Sequence, residues 1–343
     1  MTKDFSSAPG FEATVGGQTF KQVEPNGVHS ILVEDHVDMS SICVVTLGTS
    51  EHNSAWNFSI GDPVLVKMRN QEPFLFKGEV TAIEHSFQIR GSSTLTLRCV
   101  DNTHRLGRGR KTRFWNDMKD SDVAQEVGSE SGLSVEADPT EETHAYILQR
   151  NESNIAFLKR LAARNNFQVR VEQGTLFFKK AATAGSAKTI SMGETLISMN
   201  LGFNSGQQVQ NVVVRGWDIK QKKEIVGKAS IGDVTPIGGG EMGAQKSAVF
   251  GDSTAYISDV PVSSQAMADI IAKSEMERLA RQFGRGKCAI RGDNFVRAGT
   301  MVDFSGFSQG LNGSFYVISS RHIINPKTGY STEFAFCSNT FGA

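Results

Sequence analysis

Short runs in which apolar and polar residues alternate fill the first hundred positions. Ser30-Ile31-Leu32-Val33-Glu34 is followed by Ile42-Cys43-Val44-Val45-Thr46-Leu47, Val64-Leu65-Val66-Lys67-Met68, Phe74-Leu75-Phe76-Lys77-Gly78-Glu79-Val80 and Leu95-Thr96-Leu97-Arg98-Cys99-Val100. Gly, Asn, Asp and Pro bound these runs, which predicts strands of an antiparallel sheet or barrel. In Gly61-Asp62-Pro63 the proline precedes a strand, the place where its missing N–H does no harm.

The texture changes near Arg105. Asp120–Val127 reads as a helix capped by Asp or Ser, with Gly132 just beyond its end. A second helix is expected from about Ser153 to Arg164, with Ile155, Leu158, Leu161 and Ala162 on one face. Asn165-Asn166 supplies a left-handed stop. Phe167–Val171 and Thr175–Phe178 form a hairpin around Glu172-Gln173-Gly174, and Ala181–Ser186 reads as a flexible connector. Strands resume at Val209–Trp217. A Gly-rich stretch from Ile231 to Pro261 is long enough to be a functional or mobile loop. A helix from about Ser264 to Phe283, stopped by Gly284, precedes the last strands.

The C-terminal strands repeat the early ones. Gly61–Lys67, Phe76–Ile83 and Ser93–Cys99 have counterparts in Ala298–Phe304, Leu311–Ile318 and Ser331–Cys337, with Gly78 matched to Gly313 and Cys99 to Cys337. Self-similarity of this kind implies two copies of one β module. The expected division is a first module over 1–104, an α+β insertion over 105–190, and a second module over 191–343 that carries the loop 231–261 and the helix 264–283.

Composition narrows the function classes. The 343 residues hold 36 Lys+Arg against 36 Asp+Glu. Zero net charge argues against a free-standing nucleic-acid binder, which neutralises phosphates with excess cations. Phe dominates the aromatics, with 22 against 4 Tyr and 3 Trp, and the 34 Gly against 8 Pro suit many tight turns. No apolar run approaches the roughly 20 residues of a membrane span. Met1-Thr2-Lys3-Asp4-Phe5 lacks a signal-peptide pattern, so folding in a cytoplasm is expected. Cys43, Cys99, Cys288 and Cys337 form no Cys-x-x-Cys pair and read as buried free thiols.

Candidate chemistry is sparse. Glu34-Asp35-His36-Val37-Asp38 has metal-binding residue types, but neighbours on a strand face opposite ways, so it reads as a polar turn. Gly107-Arg108-Gly109-Arg110-Lys111-Thr112 and Gly284-Arg285-Gly286-Lys287 miss the phosphate-loop spacing. The cluster Arg105–Arg113 reads as a solvated basic linker, with an acidic partner or nucleic acid as the alternative. No His-Glu-x-x-His motif or Gly-x-Ser-x-Gly elbow occurs. No catalytic, cofactor-binding or metal residue is assigned, and no enzymatic activity is expected.

The segment Ile147-Leu148-Gln149-Arg150-Asn151-Glu152-Ser153-Asn154-Ile155-Ala156-Phe157-Leu158-Lys159-Arg160-Leu161-Ala162 resembles the Gln-x-Asn-Glu-Ser-x-x-x-Phe-Leu-x-Arg-Leu signature of the phage late control D family. That family comprises baseplate hub proteins of contractile tails and the hub half of type VI secretion spike proteins. The resemblance runs over about residues 10–340. Its signature has a folding rationale: Ser153 caps the helix, Glu152 lies at its positive end, and Phe157, Leu158 and Leu161 anchor it.

The resemblance implies a mainly β fold, with two tube-like antiparallel β-barrel modules flanking a small helix-containing domain. It implies a homotrimer whose six modules form a ring of pseudo-six-fold symmetry, joining a tail-tube hexamer to a spike protein trimer. Baseplate wedge and tape-measure proteins are further partners, nucleic acid enters only as cargo through the channel, and membrane insertion is not implied. The expected location is the baseplate of a virion or injection particle assembled in a bacterial cytoplasm. The sequence stops at Ala343, after the second module, so the spike and any wall-degrading enzyme are expected on separate chains. Two rival readings are a tail-tip peptidoglycan hydrolase and a carbohydrate-binding β module. The second needs exposed aromatic platforms, and Trp217 follows a strand expected to be buried.

Overall fold

The computed structural model describes residues 10–23, 27–49, 56–69, 72–88, 93–172, 174–185, 187–219, 221–308 and 310–341. The readings made for Met1–Phe5, Gln173 and Ser186 lie outside these residues. The fold is mainly β with a few helices, and its largest element is a 13-stranded sheet.

Alternation builds this sheet. In Pro63–Met68 the buried positions are Val64, Val66 and Met68, and in Ser93–Val100 they are Leu95, Leu97 and Cys99. One face of each strand packs inward while the other faces water, as in antiparallel sheets covered on one side. In the first half the strands are ordered Val28–His36, Met39–Thr49, Ser93–Val100, Phe76–Ser86, Pro63–Met68, Phe11–Val15. They curl around a core that includes Ile31, Val33, Val45, Leu47, Phe76 and Leu97.

The second half repeats this order with Leu196–Phe203, Gly284–Arg291, Gly329–Ser338, Gly313–Asn325, Met301–Ser305 and Ala187–Ser191. Its core centres on Phe304, Phe315, Phe334 and Phe336. The repeat extends to single hydrogen bonds. The amide of Gly61 donates to the carbonyl of Val80 at 2.8 Å, and Val80 donates back to Asp62 at 2.9 Å. Gly299 donates to Val317 and Val317 to Thr300, both at 2.9 Å. Gly61 and Gly299 hold φ +96° and +88°, a left-handed turn that favours glycine. A bulge follows at the same place in each copy, between Val80 and Ala82 and between Val317 and Ser319.

These bonds correct the sequence alignment of the repeat. Val80 corresponds to Val317, not to Phe315. Cys99, opposite Val80, corresponds to Phe336 rather than Cys337. The glycines Gly78 and Gly313 misled the alignment because loop lengths differ between the copies, whereas turn and bulge fix the register. One strand also departs from the repeat. Phe11–Val15 runs antiparallel to Pro63–Met68, but Ala187–Ser191 arrives from the insertion and runs parallel to Met301–Ser305.

The two halves merge because Gly313–Asn325 pairs with Val28–His36, from Ser319 opposite His36 to Ile324 opposite Ile31. The insertion packs helices Asp120–Glu130 and Asn154–Arg164 around Trp115, Val123, Phe157, Leu161 and Phe178. Asp120 does not cap its helix. It is fully buried and takes hydrogen bonds from Arg164 (2.5 Å) and Asn165 (2.7 Å), with His144 3.4 Å away. Burial pushes its carboxyl up, but His144 and Arg164 overcome this and hold it below the usual range.

Residues 191–343 hold more than one core. Strands Asn211–Asp218, Lys223–Ser230 and Thr254–Ile257 form a separate sheet against helix Gln265–Ala280, with Val212, Val214, Ala268 and Met276 between them. The Ile231–Pro261 stretch is not one open loop: it contains helix Gly243–Ser247, strand Thr254–Ile257 and the fully buried Ile237. Helix Gln265–Ala280 ends before Gly284, which instead opens a strand. Ala181, expected in a flexible connector, is buried in a seam with Val37, Ile237, Met301 and Tyr316.

Candidate functional site

The signature segment folds as an anchored helix start. Asn151 sits at φ +48°, a conformation asparagine tolerates better than most residues. Ser153 Oγ accepts from the Ala156 amide at 3.3 Å, and Arg160 donates to Glu152 at 2.7 Å. Gln149, fully buried, donates to the Glu152 carbonyl at 3.0 Å and to Asn154 Oδ1 at 3.1 Å, and accepts from Arg113 at 2.8 Å. Phe157, Leu158 and Leu161 are fully buried, and Phe157 stacks on Trp115 with centroids 5.2 Å apart. Ile155, placed on the core face by its spacing, only packs at the edge of the core; Phe157 takes that place. Every signature contact holds the insertion together, and none is arranged around a reactive centre.

One feature with room for another molecule is the solvent-facing side of the large sheet, across the junction of the two halves. Ser198, Asn200, Lys287, Glu34, Arg321 and Glu333 line a concavity there. Period-two alternation puts them on this face, since their strand neighbours Val33, Cys288, His322 and Phe334 are buried behind it. Arg321 reaches Glu34 at 3.0 Å and Glu333 at 3.7 Å, all about half exposed. At the corresponding level of the first half, Arg98 meets Glu84 at 2.7 Å and holds that carboxyl below its ordinary range. Met39, Ile42 and Met199 line it too, so the wall mixes apolar side chains with acidic and basic ones that pair across it.

Glu34, Asp35 and His36 do not form a turn. The strand runs through them, and only Val37 and Asp38 turn. Alternation separates them: Glu34 faces the concavity, while Asp35 is buried and pairs with Arg297 at 2.6 Å. Among the described residues no group of three His, Cys, Asp or Glu side chains is placed to hold a metal. The basic cluster is partly neutralised, with Arg105 paired to Glu79 and Lys111 and Arg113 both on Glu130. Gly284–Lys287 is plain strand. The four cysteines are free and buried, and burial raises the Cys288 thiol to about 12 and the Cys337 thiol to about 11. Trp217 is 58% exposed rather than buried, because alternation puts it with Arg215 on the face of its strand opposite the buried Val212 and Val214.

The fold recurs in solved structures. A 43 kDa tail protein of the prophage MuSo2 from Shewanella oneidensis matches at 14% identity over 95% of this chain and 97% of its own, with TM-score 0.74. A tail protein from Neisseria meningitidis MC58 matches at 12% identity over 96% of both chains, with TM-score 0.71. An Escherichia coli component of the type VI secretion system, itself described as similar to two T4 bacteriophage tail proteins, matches at 9% identity over 96% of this chain and 78% of its own, with TM-score 0.66. No curated protein sequence matches. No helix is long and apolar enough to cross a membrane among the described residues. A family model described as the Alg8 N-terminal domain covers residues 28–326, most of the chain, and the protein belongs to that family.

Proposed function

We propose that this protein is a structural baseplate hub of a contractile tail or related injection system, a homotrimer that joins the tail tube to a trimeric spike. The observation that carries this reading is the duplication: two modules of one strand order, fused edge to edge into a single sheet. A chain with two such modules turns three subunits into six quasi-equivalent wall segments, which suits a six-fold tube on one side and a three-fold spike on the other. Closed rings arise from head-to-tail interfaces of this kind. The shared fold with phage tail proteins and a type VI component supports the same reading. The relationship to the late control D family is part of the proposal and rests on the Asn151–Leu161 segment.

In this reading the concave face lines the channel, and its acidic and basic side chains, paired across the face, leave no excess of one sign to hold cargo. The spike, the tube hexamer, wedge and tape-measure proteins are the partners, the baseplate is the location, and the chain carries no catalytic activity of its own. Native mass spectrometry and electron microscopy of the purified protein test the proposal. A ring of three chains is expected; a monomer under all conditions would overturn it. Solubilisation of cell-wall peptidoglycan by the purified chain would overturn the non-enzymatic part.

A further inference from the structure

The outward face of the large sheet continues past the concavity. Lys287 lines the concavity, and Arg285, two positions back on the same strand, points the same way. Arg285 lies opposite Cys337, and Cys337 opposite Tyr316, so these three share that face. Here the sheet is roofed over. The Tyr316 hydroxyl donates to Gln168 of the insertion, and the guanidinium of Arg281, just past helix Gln265–Ala280, sits 5.6 Å from the Tyr316 ring centroid. That helix is fastened in turn to the end of helix Asn154–Arg164. The Ser274 hydroxyl donates to the Ala163 carbonyl at 2.6 Å, and the Asn166 amide donates to Glu277. Sheet, insertion and helix thus enclose a recess of about 440 Å³, a volume within the usual range of ligand sites.

The recess is apolar and cationic. Phe167 and Ile318 are among its apolar walls, while Lys159, Arg278, Arg281 and Arg285 reach it from all three sides against one carboxylate, Asp38. Two of the cations are neutralised from behind. Glu275 takes two hydrogen bonds from Arg278, both at 2.6 Å, and Glu277 lies 3.7 Å from Arg281. Lys159 and Arg285 make no ion pair among the described residues, and neither does Asp38. Like charges confined to one recess repel each other, and a carboxylate arriving from outside removes that cost. We propose that the recess binds an acidic peptide segment of a partner protein, held extended, with carboxylates at Lys159 and Arg285 and apolar side chains against Phe167 and Ile318. Successive side chains of an extended peptide point to opposite sides, so alternating acidic and apolar residues satisfy both kinds of wall. Two free cations are few for a nucleic-acid backbone, whose binding grows with the number of phosphates neutralised. The apolar walls have no use for such a ligand, but they suit peptide side chains. The recess is built within one chain, so this inference does not depend on the ring reading.

Isothermal titration calorimetry on the full-length chain tests the proposal. The probe is the blocked pentapeptide acetyl-Glu-Leu-Glu-Leu-Glu-amide, with acetyl-Gln-Leu-Gln-Leu-Gln-amide and inorganic phosphate as comparisons. The acidic peptide should bind once per chain and more weakly as salt rises, and the glutamine peptide should not bind. Lys159→Ala with Arg285→Ala should weaken the acidic peptide at least tenfold, and Lys159→Arg with Arg285→Lys should restore it. Circular dichroism melts of both double variants should match the wild type, since neither side chain holds an ion pair. Arg108→Ala with Arg110→Ala, in the basic cluster Arg105–Arg113, should leave the affinity unchanged. No binding of the acidic peptide at low salt overturns the proposal. So does an affinity lost in the Arg108/Arg110 variant or kept in the Lys159/Arg285 alanine variant, since the peptide would then sit elsewhere. Binding of phosphate without the acidic peptide overturns the peptide as occupant. A chain that stays monomeric yet binds the peptide as described overturns the ring reading and leaves this one standing.

Discussion

Arg297 donates to Asp35 at 2.6 Å, a buried ion pair that ties the turn before Met301–Ser305 of the second half to strand Val28–His36 of the first. Asp35 also receives the Ser320 hydroxyl at 3.3 Å, and Arg297 donates to the Phe74 carbonyl at 2.7 Å. Both halves of the sheet therefore meet around one charge pair. Removing one partner strands the other charge out of water, which typically costs about 3–5 kcal/mol. Asp35→Ala and Arg297→Ala should each lower stability by that order in urea unfolding. The double change Asp35→Leu with Arg297→Met should fall closer to the wild type than either single variant, since an apolar pair leaves no buried charge.

The signature helix separates two kinds of contact. Phe157 is fully buried against Trp115, and Phe157→Ala should cost about 3–5 kcal/mol. Ser153→Ala removes one capping bond and should cost about 1 kcal/mol. Both are readable as shifts of the thermal midpoint. The capping variant should still assemble, as expected if the signature serves folding alone.

Local patterns reveal much of this fold, and long-range ones much less. Alternation marks most strands, and the spacing of Ile155, Leu158, Leu161 and Ala162 marks its helix, although Phe157 rather than Ile155 fills the core, because each pattern depends on residues a few positions apart. The repeat is visible too, yet its register is lost, since bulges after Val80 and Val317 carry no composition signal. The pairing of Val28–His36 with Gly313–Asn325 joins segments almost a chain length apart, and nothing local announces it. Asp35 looks like part of a polar turn for the same reason: its partner Arg297 is distant in sequence. The concave face is legible only afterwards, since its residues are ordinary outward positions of six strands that become one surface through that pairing.

The two faces of the sheet should tolerate change differently. Arg321 is about half exposed, so its pairs with Glu34 and Glu333 are screened by solvent. Arg321→Ala should shift stability by no more than about 1 kcal/mol, and less at high salt. Val33, the strand neighbour of Glu34, is fully buried in the core. Val33→Asp should abolish folding at the same temperature, because it places an unpaired carboxylate in that core. Circular dichroism melts of the two variants at low and high salt check both statements.

His322 should make stability depend on pH. It is fully buried at the junction, where its Nδ1 lies 3.0 Å from the Tyr330 hydroxyl and 3.1 Å from that of Thr332. Burial, aided by Arg297, lowers its pKa from 6.5 to about 4, against the opposing pull of Asp35 and Asp293. Between those two values the unfolded chain binds a proton that the folded chain refuses. Stability therefore rises with pH through this window and falls as pH drops from about 6.5 toward about 4, levelling off below, with a total loss on the order of 3 kcal/mol. His322→Asn keeps a hydrogen-bonding group near Nδ1 but cannot titrate. Its unfolding free energy, measured against the wild type from pH 7 to pH 4, should lack this slope. A wild-type slope that persists unchanged in the variant would assign the acid sensitivity to other groups.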